Sequence, residues 1–261
     1  MSLAAPPVLP FGRLPPRLRR SALGVALMVV LLLLVVAMAV AAWMGWSAAY
    51  ALQSLAVFAL GVLLVLQGLA EHAPHERFGA ANGLTLMRLA MIALLAGVVG
   101  RPLPADPAPL AWVIVVFATT TAVLDAADGP LARTQGLASE FGARFDMECD
   151  ALLVAVLCFL ILQFDKAGAW VLAAGAMRYA FVLAGRVWPW IAQPLFPSWR
   201  RKSVCVVQIT LLIVCLGPII SRGTSQAIAA AGLLMLSASF AADLGWLYRR
   251  RSRRPHMEPS T

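Results

Sequence analysis

Charge is scarce in this chain. Only 13% of its 261 residues are charged, 61% are hydrophobic, and the mean hydropathy is +0.84. A single soluble core cannot absorb that much apolar surface, which excludes an ordinary soluble domain. Between Ser21 and Ala70 there is neither a charged residue nor a proline. That stretch is too long for one bilayer crossing and long enough for two. It is also too long, and lacks a clear cleavage site, for a signal peptide. Cysteine and histidine are sparse as well. Cys149, Cys158, Cys205 and Cys215 have no paired spacing, and His72, His75 and His256 are scattered, so neither a disulfide framework nor a zinc site is indicated.

What is present is a series of apolar runs. Two spans divide residues 21–70, with a turn expected at Trp43–Ser47, where Gly45 and two tryptophans cluster. Further spans are expected at about 84–100, 109–127, 138–163, 168–187, 204–221 and 225–247. The chain therefore reads as an all-α polytopic membrane protein of about eight transmembrane helices. All eight tryptophans fall near expected span ends, as in an aromatic belt.

The 21 lysines and arginines fix an orientation. With the N-terminus inside, the loops outside hold only Arg101, Lys166 and Arg222, Arg178 lies within a span, and the other 17 are cytoplasmic. Both termini are then cytoplasmic, with basic tails at 1–20 and 251–261. The expected location is an integral membrane position, the bacterial inner (plasma) membrane. The net charge of +9 is read as topology signal and lipid-headgroup contact, not as a nucleic-acid surface, because no base-stacking motif accompanies it.

Against this background, four aspartates between Asp125 and Asp150 need an explanation. An Asp at mid-membrane costs about 2.5–3.5 kcal/mol. On a helix, Asp125, Asp128, Gly129, Ala132 and Arg133 fall within an arc of about 140°. Gly142, Asp146 and Asp150 form an i, i+4, i+8 stripe on the next helix. Two antiparallel helices then turn four carboxylates toward one another at the cytoplasmic boundary. Hard oxygen ligands without His or Cys select Mg²⁺, Mn²⁺ or Ca²⁺, and four carboxylates suffice for two ions. Arg133 offers a fork suited to phosphate, and Gly129, Ala132 and Gly142 leave room for a bulky ligand or for close helix packing. Pro130 is expected to bend the first motif helix or to start a fresh one. The bland alternative for any single pair is a salt bridge to Arg144 or Arg88.

The segment fits D-x2-D-G-x2-A-R-x8-G-x3-D-x3-D at every specified position, and in this it resembles the CDP-alcohol phosphatidyltransferase family. Asn82-Gly-Leu84-Thr85-Leu-Met-Arg88 resembles the start of that family's first catalytic helix. The resemblance implies a six-helix catalytic bundle at 71–250, preceded here by an accessory two-helix hairpin at 21–70. It implies two divalent cations, Mg²⁺ or Mn²⁺, on Asp125, Asp128 and Asp146. Asp150 would be the base for the acceptor alcohol and would also touch metal. Gly129, Ala132, Arg133 and Gly142 would line the CDP pocket. The implied substrates are a CDP-alcohol, usually CDP-diacylglycerol, and an alcohol acceptor, with CMP released. A homodimer is implied too. Arg200, Arg201 and Lys202 resemble the family's basic segment before the fifth catalytic helix and are candidate acceptor contacts. Arg178 joins them as an intramembrane arginine, with Asp243 as its alternative, purely structural partner. The family often places an interfacial helix at the position of residues 71–81.

The chain also departs from the pattern. The glycerophosphate-using branch often has Lys after the fourth aspartate, where this chain has Ala151. Two other readings fit an acidic membrane cluster: a Mg²⁺-dependent intramembrane prenyltransferase and a carboxylate-based ion-coupled transporter. The interleaved Gly129, Ala132, Arg133 and Gly142 favour the nucleotide site over the first. The absence of an internal repeat counts against the second.

Overall fold

In the computed structural model, residues 15–69, 77–134, 139–188, 190–193 and 198–252 are described, the side chains of 126–134 and 251–252 excepted. Among them are eight α-helices and no strand. They are α1 (Pro16–Met44), α2 (Ala49–Gly68), α3 (Gly79–Val98), α4 (Ala108–Thr134), α5 (Glu140–Gln163), α6 (Leu172–Val187), α7 (Trp199–Leu216) and α8 (Arg222–Ser252). Six are long and apolar enough to cross a membrane. In α5 and α7 the apolar run shares the helix with charge: Asp146, Glu148 and Asp150 in α5, and Arg200, Arg201 and Lys202 in α7. The protein is an integral membrane protein.

The expected hairpin between the first two spans is present. α1 stops at Met44 because Gly45 adopts a left-handed conformation, φ 66°, and its N–H turns back to Ala41 and Ala42. Of the bend or fresh helix start expected at Pro130, the fresh start does not occur. α4 continues as one helix to Thr134, since a proline removes one ladder hydrogen bond and the rest of a 27-residue helix carries it past. Residues 70–76, where most of the expected interfacial helix falls, lie outside the described residues.

The fold forms two compact units, Met1–Val156 and Leu157–Thr261. In the first, α3 is the hub. Most of its apolar span is buried by protein, whereas α1, α2 and α4 turn most of theirs outward. α2 docks on α3 through small residues and backbone carbonyls. Gly97 lies against Ser54 and Tyr50, and Gly61 lies against Leu89. Tyr50 Oη donates to the Leu94 carbonyl at 3.1 Å, and Gln53 Nε2 donates to those of Ala96 and Val99. Arg101 donates to the Ala49 carbonyl and to Gln53 Oε1. The Gln53 bonds reach carbonyls at the end of α3 that lie beyond its internal ladder. Near the other end of α3, the Phe78 N–H donates to Ser21 Oγ, Val25 of α1 faces Gly83, and Phe78 meets Phe141 of α5.

The second unit has its own ties. Lys166 Nζ donates to the Gly217 and Ile220 carbonyls just past α7, and Ser225 Oγ donates to the Cys215 carbonyl. Phe181 of α6 meets Phe240 of α8 edge-on. None of the four cysteines forms a disulfide.

Candidate metal and nucleotide site

Three helices deliver four charged side chains to one place. α4 brings Asp125, and α5 brings Asp146 and Asp150 one turn apart. α3 brings Arg88. The three carboxylates each offer an oxygen, and these oxygens lie within 4.8 Å of one another. Arg88 is fully buried between them, at 0% exposure. Its Nη2 donates to Asp150 Oδ1 at 2.7 Å, and its Nη1 donates to Asp146 Oδ1. The same Nη1 lies 2.7 Å from Asp125 Oδ1, and Nε donates to the Thr121 carbonyl at 3.2 Å. Asp125 and Asp150 are largely buried, with 16% and 17% of their side chains exposed, and Asp146 is more open at 38%. The cluster is thus most accessible at Asp146.

Local sequence explains the convergence. Asn82, Thr85 and Arg88 recur every three residues on α3 and are all buried. Gly142 leaves room for Asn82, since a Cβ there would stand 3.0 Å from Asn82 Oδ1. The Cys149 thiol points at the Thr85 carbonyl. Asn82 and Thr85 turn their own donors back to the carbonyls of Phe78 and Ala81, which keeps the α3 face compact. Gly142 therefore acts first as a packing position that lets α5 approach α3. Removing one partner of a buried ion pair costs about 3–5 kcal/mol, so Arg88 and the three acids depend on one another.

The donor set suits a hard divalent cation. It consists of oxygens alone, close enough to share an ion, with no His or Cys among them. One atom is under-served: Asp125 Oδ1 is buried and has a charge contact to Arg88 but no hydrogen bond. A divalent cation would give this oxygen a direct bond in place of the guanidinium contact.

The family description "CDP-alcohol phosphatidyltransferase" matches residues 78–241, from the start of α3 into α8. The chain belongs to that family. Its activity is therefore of the family's kind, a transfer from a CDP-alcohol to an alcohol acceptor, in phospholipid biosynthesis. The family depends in general on divalent metal, in keeping with the acid cluster. No curated protein matches the chain. No solved structure does either.

Of the motif residues, Asp125, Asp146 and Asp150 are brought together. Asp128, Gly129, Ala132 and Arg133 lie on the last turns of α4, and their side chains lie outside the described residues. Arg178, Arg200, Arg201 and Lys202 belong to the second unit. There Arg200 pairs with Asp243 and donates to Ser239 Oγ at 2.7 Å, and Arg201 lies 3.7 Å from Asp243. Asp243, the alternative structural partner considered for Arg178, holds the basic segment of α7 to α8. Sequence reasoning gave Arg88 no place in the site beyond a salt bridge. The signal was available: Arg88 is the one charged residue in the 20 of α3, and a lone charge in a membrane helix requires a partner.

Proposed function

We propose that the protein transfers a phosphatidyl group from CDP-diacylglycerol to an alcohol acceptor and releases CMP. The observation that supports this best is the convergence of three motif carboxylates within 4.8 Å on a family scaffold. Asp125, Asp128, Asp146 and Asp150 would hold two divalent cations, Mg²⁺ or Mn²⁺, which neutralise phosphate charge when bound. Gly129, Ala132, Arg133 and Gly142 would receive the CDP portion. Asp150 would take the proton of the acceptor hydroxyl. The alcohol oxygen bonds to the β-phosphorus, the bond from that phosphorus to the bridging oxygen breaks, and the bridging oxygen leaves with CMP. A positioned base of this kind contributes about 10²–10⁴-fold.

The remaining assignments belong to the same reading. Arg178, Arg200, Arg201 and Lys202 contact the acceptor or headgroup. The site and both termini face the cytoplasm of a bacterial inner membrane, and the chain works as a homodimer. The segment 21–70 is an accessory hairpin on a catalytic bundle at 71–250. The deciding experiment incubates purified protein with Mn²⁺, CDP-diacylglycerol and a panel of alcohols, and identifies the product lipid by mass. CMP together with a new phosphodiester lipid is expected. Turnover of a prenyl diphosphate with none of CDP-diacylglycerol overturns the reading.

A further inference from the structure

Arg88 stands where an entering cation has to go. Its Nη1 is shared between Asp125 Oδ1 and Asp146 Oδ1, which belong to two of the three clustered carboxylates. A divalent ion bonds carboxylate oxygens at about 2.0–2.6 Å, so an ion seated between these two claims the volume that Nη1 fills. Of the two contacts, the one to the buried Asp125 Oδ1 is an ion pair without hydrogen-bond geometry. The guanidinium has other anchors: Nε on the Thr121 carbonyl and Nη2 on Asp150. Yielding at Nη1 therefore does not strand a buried arginine.

We propose that Arg88 is a built-in counter-cation that holds the acid cluster together in the metal-free protein and gives up the Asp125–Asp146 position to the divalent ion. This deepens the reading above and rests on the cluster taking a metal. Physically, three carboxylates this close in a low-dielectric setting repel one another unless a cation sits among them. Arg88 supplies that charge whenever no metal is bound. The same charge opposes the metal, since a fixed guanidinium weakens any cation placed beside it. Arg88 thus stabilises the empty site and lowers its affinity for metal, and it is a positioning residue in both respects.

The test compares wild type, Arg88→Gln and Arg88→Lys in detergent, with EDTA or with Mn²⁺. Thermal unfolding and Mn²⁺ binding by electron paramagnetic resonance are the readouts, and neither requires turnover. Arg88→Gln is expected to unfold well below wild type in EDTA and to return close to wild type in Mn²⁺. Its Mn²⁺ affinity is expected to rise at least about tenfold, because the opposing charge is gone. Arg88→Lys keeps the charge and is expected to bind Mn²⁺ within about threefold of wild type. An Arg88→Gln protein that binds Mn²⁺ no more tightly than wild type overturns the proposal. So does one that is equally unstable with and without Mn²⁺, including one that folds in neither. Wild-type protein that binds Mn²⁺ but never releases CMP would instead sink the assigned reaction and leave the exchange standing.

Discussion

Arg88 Nη2 reaches Asp150 Oδ1 at 2.7 Å across 62 residues of sequence. The bond joins the residue proposed as base to the helix against which α1 and α2 pack. It also fixes the direction in which Asp150 presents its other oxygen, so the carboxylate is oriented before an alcohol arrives. Asp150→Asn keeps the shape and an acceptor for Arg88 but removes the proton acceptor. Its kcat for CMP release is expected to fall about 10²–10⁴-fold with KM for the CDP-lipid changed only a few-fold. Steady-state kinetics in mixed micelles checks this, and an unchanged kcat removes Asp150 from the role of base.

Packing between α2 and α3 makes a second expectation. A Cβ on Gly97 would stand 2.2 Å from Ser54 Oγ and 2.8 Å from the Tyr50 ring. Gly97→Ala should destabilise the protein by about 1–3 kcal/mol, and Ser54→Ala in the same chain should recover part of the loss. Gly24, also helical, has nothing within 4 Å of its Cβ position. Gly24→Ala should be neutral or stabilising by up to about 1 kcal/mol. Thermal unfolding of the four proteins under identical detergent conditions separates the two cases.

The basic start of α7 distinguishes acceptor classes. Arg200 is held by Asp243 and Ser239 but remains 42% exposed. If it meets a phosphorylated acceptor, Arg200→Ala should raise KM for that acceptor about tenfold or more, the worth of a charge-assisted hydrogen bond. KM for a neutral alcohol should not move. Equal effects on both acceptors would mean that Arg200 only holds α7 to α8.

Much of this organisation is legible in the sequence, for identifiable reasons. The charge-free stretch from Ser21 to Ala70 shows two helices, and Gly45 marks their turn because only glycine adopts φ 66° without cost. Asp125, Asp146 and Asp150 are legible because membrane carboxylates are expensive and their spacing is helical. Helix ends are less legible. α7 begins at Trp199 and α4 runs to Thr134, because backbone hydrogen bonding continues past the apolar run that marks a span. Arg88 shows the other limit. Periodicity relates residues within a helix, whereas its partners lie on two other helices, and its charge also counts as a topology signal. The side chains of Asp128 and Arg133 are assigned by motif alone.

The central claim is that the three carboxylates around Arg88 belong to a divalent-cation centre serving transfer from a CDP-alcohol. Its most direct test is a Mn²⁺ titration of CMP release from CDP-diacylglycerol, in wild type and in Asp146→Ala. The account predicts saturable activation in wild type, abolition by EDTA, and a loss of at least about 100-fold in Asp146→Ala together with weakened Mn²⁺ binding. CMP release that persists in EDTA and survives Asp146→Ala would contradict it.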